Sequence, residues 1–167
     1  MHVQEQHRSD RISQLDLRPE VEALLGGVCP VSDFSGYFRE PQYFYTQGWP
    51  DKTADWPELE EKELLPLWEH EDQIFALDFS CEPYEIISFY IECPSEYDVY
   101  RSVDSAIFHI IDLHVWEYGY AEDGVEPTKL FAEKLHLPNR HRLNSLLDNW
   151  ATCTEEMLAE YQQTLAP

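Results

Sequence analysis

Two short apolar runs separated by five turn residues constrain this chain more than any other feature. Residues 73–79, QIFALDF, and 85–91, EIISFYI, are rich in Ile, Phe and Tyr, and the segment 80–84 between them contains Pro83. Runs of that length built from β-branched and aromatic residues read as strands. Five residues cannot carry a parallel crossover, so the two strands must return as antiparallel neighbours. In the first run Phe75, Leu77 and Phe79 alternate with Ile74, Ala76 and Asp78. The wholly apolar set is expected to meet the core.

The remaining punctuation places helices around this hairpin. Pro19 at a first helical position and Gly26-Gly27 just beyond Leu25 bracket a short helix with Val21, Leu24 and Leu25 as its stripe. Residues 28–57 are rich in Pro, Gly and aromatics and read as loop, with a strand over 42–46. Residues 58–65 suggest one or two helical turns before Pro66. Residues 94–96 form a turn, and 97–100 a short third strand. Ser102 or Asp104 caps a helix over 103–118, with Ile107, Ile110, Ile111, Leu113 and His114 inward. Pro127 opens a helix to about residue 135, Pro138 breaks it, and Asn139 caps a last helix. There Leu143, Leu146, Leu147, Trp150, Met157, Leu158 and Tyr161 recur at helical spacing. The expected class is α+β, an antiparallel sheet flanked by helices with extra C-terminal helices. At 167 residues the expectation is one domain, with a core of about 40–120 and a helical extension of about 126–165.

Charge narrows the function. Residues 51–98 hold 15 Asp plus Glu against Lys52 and Lys62, a net of −13 within a whole-chain −22. Aromatics make up 14% of the chain, which argues against an acidic disordered tail and leaves rings for a binding surface. Phosphate recognition needs clustered Lys and Arg, and none are clustered here, so nucleic acid and anionic membranes are not expected partners. A basic protein is the natural complement. No run is long enough to span a bilayer, and residues 1–16 lack the apolar core of an export signal, so a cytoplasmic location is expected.

No catalytic pattern stands out. There is no G-x-S-x-G, no glycine-rich phosphate loop and no H-E-x-x-H, and Cys29, Cys81, Cys93 and Cys153 match no zinc spacing. His109 and Asp112 share a helix face at i, i+3, without an identifiable third ligand. Glu69-His70-Glu71-Asp72 could converge on a cation or splay into water, and lacks the alternating oxygen ligands and glycine of a calcium loop. Neither an enzyme, a cofactor nor a metal is expected.

The order turn, strand, turn, strand, turn, helix over 64–118 resembles the SUKH superfamily of bacterial immunity proteins and fungal cell-wall regulators. The resemblance is carried by LLPLWEHEDQIFALDFS and by the helix-forming VYRSVDSAIFHIIDLHVWEYG, about a third of the chain. The segment Tyr43 to Trp49 is a poor counterpart of the family's amino-terminal part. The resemblance implies an α+β domain that binds and neutralises a toxin, often one acting on nucleic acids and often basic. The candidate partner-binding residues are Trp49, Asp55, Trp56, Glu58, Glu61, Trp68, Glu69, Glu71 and Asp72, with 92–98 as a further acidic segment. Trp68, between Leu67 and the acidic turn, is expected to point outward as an anchor. The alternative is an acidic nucleic-acid mimic, or an adaptor binding another basic protein.

Overall fold

The two apolar runs pair as the middle of a four-stranded antiparallel meander. Its strands are β1 (Leu64–His70), β2 (Gln73–Asp78), β3 (Glu85–Tyr90) and β4 (Cys93–Tyr100), in spatial order β1-β2-β3-β4. The structure, a computed structural model, describes residues 2–46, 57–118 and 124–165. With its helices the chain is α+β. It divides into two compact units, Met1–Cys29 with Ser35–Tyr100, and Pro30–Phe34 with Arg101–Pro167. The core anticipated over about 40–120 thus spans the boundary at Tyr100.

In the first unit the helices are α1 (Arg8–Ile12), α2 (Pro19–Leu25), α3 (Gln42–Thr46) and α4 (Pro57–Glu60). Pro19 stands at the start of α2, and Val21, Leu24 and Leu25 are buried, as their spacing implies. One sheet face is built by Leu64, Ile74, Ala76, Ile87 and Phe89, and Phe44 of α3 and Leu59 of α4 pack against it. Each of the fully buried Leu, Ile and Phe side chains in this set contributes about 1.5–3 kcal/mol. The register sets Phe75 opposite Ser88 and Leu77 opposite Ile86 on the other face. That face is buried too, since all six residues of β2 are inaccessible.

Three local expectations give way, the first being the turn read over 94–96, which lies within β4 (Cys93–Tyr100). Residues 42–46 are a helix, although Tyr43, Phe44 and Tyr45 favour a strand. The Glu69 carboxylate from β1 accepts a 2.9 Å hydrogen bond from the Tyr43 N–H. A carboxylate at a helix's first unpaired amides stabilises that end. Pro66 lies inside β1 rather than before it. A proline is tolerated on an edge strand or bulge, and the register shifts between Pro66 and Trp68.

The outer edge of β1 is sealed. Val3 N–H donates to Leu64 O at 2.9 Å. Arg39 and Glu69 exchange backbone hydrogen bonds of 3.1 and 2.9 Å. The buried Arg8 guanidinium donates to Pro66 O at 2.9 Å and also to Leu67 O. A further bond of 2.7 Å reaches Leu25 O, so Arg8 ties the C-terminus of α2 to the strand.

His2 lies edge-on to Phe44, with ring centroids 6.1 Å apart, and burial depresses its imidazole from 6.5 to about 4. Unfolded, it protonates near 6.5. Between there and about 4 the unfolded state binds more protons, so stability falls as pH falls through that window. The difference in urea midpoint between His2→Gln and the parent should therefore shift in favour of the variant from pH 7 to pH 4.5. A difference that stays constant with pH contradicts this.

The second unit is helical: α5 (Val103–Tyr118), α6 (Val125–Lys134), α7 (Arg140–Asp148) and α8 (Glu155–Gln163). The expected helix over 103–118 is present. Its start is fixed by Ser102, whose hydroxyl accepts from Ser105 N–H at 3.1 Å and donates to Leu165 O at 2.7 Å. Phe34 stacks on Phe131 at 4.0 Å and lies 4.3 Å from the His114 ring. The single last helix read from the leucine pattern is instead two. The Asn149 amide donates to Ser145 O at 2.9 Å, and Thr154 caps α8 by accepting from Met157 N–H. Side chains that bond the nearby backbone compete with helix continuation.

Candidate functional site

The segment Glu69-His70-Glu71-Asp72 runs from the end of β1 through the β1–β2 turn, and its members diverge. Glu69 is buried on Tyr43 N–H. Burial raises its carboxyl above the usual range, and hydrogen bonds from the Tyr43 and Phe44 backbone with the nearby Arg39 charge offset part of that rise. His70 stacks on Tyr37 at 4.6 Å. Glu71 adopts a left-handed φ of 53° and is exposed, as is Asp72. Glu71 and Asp72 are thus the two members of the quartet open to a partner.

Trp68 requires a correction. Its side chain is 1% exposed, stacked on Phe75 at 4.7 Å and tilted against Phe38 at 5.3 Å. Simple alternation from Leu67 fails for two reasons. The bulge between Pro66 and Trp68 resets the register, and both faces of β1 are covered. An outward anchor at this position is excluded, and Glu69 likewise leaves the accessible set. Glu61 is exposed. Trp49, Asp55, Trp56 and the side chain of Glu58 lie outside the described residues.

The fold brings a second acidic segment beside Glu71 and Asp72. In a meander the β1–β2 and β3–β4 turns share one end of the sheet, and Ile91 N–H donates to Asp72 O at 3.3 Å between them. Glu92 follows in the second turn, and β4 exposes Glu96, Tyr97, Asp98 and Val99. Tyr90, Glu96, Tyr97 and Asp98 border a shallow hollow. Tyr90, Tyr97 and Val99 are 49%, 41% and 49% exposed, values that set these rings and this valine apart from the core residues beside them. The charge count pointed to 92–98, but not to Tyr97 within it or to Tyr90 and Val99 beside it. The alternation Glu96-Tyr97-Asp98-Val99 after Pro94 is the sequence signal for Tyr97 and Val99 once β4 is known to be an edge strand.

Ten acidic residues between 60 and 98 are exposed. The one cation from 57 to 98 is Lys62. Its ammonium lies 2.6 Å from the buried Asp78 carboxylate and 4.8 Å over the Tyr97 ring. Burial alone would raise the Asp78 carboxyl, but Lys62 and Ser80 overcome it and hold it low. Lys62 is therefore spent within the fold, and the exposed carboxylates keep their field.

The second unit holds an open groove of about 1200 Å³ bordered by Asp33, Glu126, Lys129, Glu133 and Arg140. Its charges alternate in sign, and Lys129 is held by Glu126 at 2.9 Å and Asp148 at 2.6 Å. His109 and Asp112 line a smaller hollow with Glu155. Among the described residues no three His, Cys, Asp or Glu side chains are grouped to hold a metal ion, and no helix is long and apolar enough to cross a membrane. The arrangement most developed for contact is thus the acidic, tyrosine-bearing margin of the sheet. No protein-family model, curated protein or solved structure matches this chain.

Proposed function

We propose that this chain is an immunity-type protein that binds and neutralises a cognate basic toxin through the acidic margin formed by Glu71, Asp72, Glu92, Glu96 and Asp98. The observation that carries the reading is the one-signed exposure around the sheet. Ten exposed acids between 60 and 98 face solvent, while the one cation of that stretch is bound to Asp78. Such a field raises the encounter rate with a positive surface and repels nucleic acid. The resemblance of 64–118 to the SUKH immunity proteins supplies the class of partner. Exposed tyrosines among the acids support it, since rings of this kind give apolar contact and a hydroxyl together.

The test begins with capture of the partner by tagged protein at low ionic strength in the cells that produce the chain. The expected partner is basic, arrests growth when expressed alone and is silenced by co-expression. Stopped-flow association should slow on the order of tenfold between about 50 and 300 mM salt, because screening acts over about 10 Å at 0.1 M. Glu71→Lys with Asp72→Lys should slow it at low salt and leave the melting temperature unchanged. A non-toxic partner, or rates indifferent to both salt and charge reversal, removes the reading.

A further inference from the structure

The two edges of the sheet are treated differently. The outer backbone of β1 is used at Leu64, Pro66, Leu67 and Glu69. No described residue outside β3 pairs with the backbone of residues 96–99. An edge of this kind is a template for another strand. We propose that β4 docks an extended segment of the basic partner as a fifth strand, one with Lys or Arg at alternate positions and apolar residues between. This rests on the reading of the chain as a binder of a basic protein.

The pattern on β4 sets the requirement. Asp98 lies opposite Ser88, and Tyr97 opposite Phe89, so successive residues project to opposite faces. Asp98 therefore presents its carboxylate on one face, and Tyr97 and Val99 present exposed apolar groups on the other. Glu96, the last of the unpaired residues before this register, adds a second exposed carboxylate beside them. Cross-strand pairs stabilise a sheet when opposite charges or apolar groups meet directly, and like charges across a pair destabilise it. A lysine–valine alternation satisfies both faces.

The same rule disfavours a second copy of this chain. Antiparallel self-pairing centred on Tyr97 would set Glu96 against Asp98 of the copy, between two chains of formal charge −22. The length of the added strand is bounded as well. Between the pairs Tyr90↔Cys93 and Phe89↔Tyr97 the partner strand advances one residue while β4 advances four, leaving three extra residues in β4. The regular register is interrupted before 97, so the docking strand is short.

The probe is an octapeptide of alternating lysine and valine, capped at both ends. Controls are an alternating glutamate–valine peptide and a lysine–valine peptide of the same composition in two blocks. Amide hydrogen exchange of the full chain is read with each. The alternating basic peptide should slow exchange at 96–99 by about tenfold or more. The block and acidic peptides should not, and Glu96→Lys with Asp98→Lys should abolish the protection. Should that double variant fail to fold, Glu96→Gln with Asp98→Asn should weaken the effect. No slowing at 96–99, or slowing insensitive to residue order or to both variants, overturns the proposal. A captured basic toxin that protects the 71–72 turn and leaves 96–99 unchanged would overturn it too, while the proposed function stands.

Discussion

Trp68→Ala will destabilise the first unit by about 3–5 kcal/mol, the usual cost of deleting a large aromatic from a packed interior. The indole fills the space between Phe38 and Phe75 and is 1% exposed. Truncation leaves a cavity between the Phe38 and Phe75 rings that the neighbouring strand β2 holds open on one side. Trp68→Phe should cost much less. It keeps the stacked ring and removes an indole N–H that is buried without a hydrogen-bond acceptor among the described residues. Burying such a donor costs about 1–3 kcal/mol, which partly offsets the lost volume. Urea unfolding of parent, Ala and Phe variants measures the difference. An alanine variant that melts with the parent but loses partner binding would return Trp68 to the surface.

Arg8→Met will cost about 3 kcal/mol or more, although Arg8 sits near the chain start in a five-residue helix. The guanidinium supplies donors to three carbonyls, those of Leu25, Pro66 and Leu67. Methionine preserves much of the apolar stem and removes every donor. Hydrogen bonds from a charged group contribute about 1.5–3 kcal/mol each, and orphaned buried carbonyls add their desolvation penalty. Burial lowers the Arg8 pKa, opposed by the fields of Tyr45 and Glu40, so the cation is held at some expense. Arg8→Lys should recover part of the loss, since one ammonium cannot span the positions a planar fork reaches. Denaturant unfolding and exchange of the β1 amides report both effects. A loss below about 1 kcal/mol for the methionine variant would mean that water replaces the guanidinium.

The central hairpin and α5 were legible because their signals are local. Strand residues at 73–78 and 85–90 alternate over a short connection, and the stripe of α5 repeats at helical spacing behind Ser102. Misreadings occur where a distant residue decides. The aromatics of α3 favour a strand until Glu69, 26 positions downstream, reaches its first amides. Pro66 reads as a stop until Arg8 and a bulge accommodate it within β1. The leucine pattern of the last helices carries no account of how Asn149 and Thr154 redirect the backbone.

The candidate site follows the same division. Its charge was visible in the count of acids, but which acids reach solvent was not. Glu69 turned inward to a backbone amide while Glu71 and Asp72 stayed out. The Ile91–Asp72 hydrogen bond that joins two acidic turns separated in sequence belongs to the meander, not to any local motif. Tyr90, Tyr97 and Val99 escaped notice because an isolated strand pattern does not say which edge it will occupy.

Among the described residues, a sheet whose first strand is sealed by Val3, Arg8 and Arg39 keeps one unpaired backbone edge, that of β4. Whatever adds to the opposite side ends the series, because the far side offers no second attachment. Stacking of copies into an open-ended ribbon requires two complementary edges per subunit, and the described residues supply one. If the proposed fifth strand docks on β4, growth along this axis stops at one added strand per chain, and high local concentration shifts occupancy without lengthening the assembly.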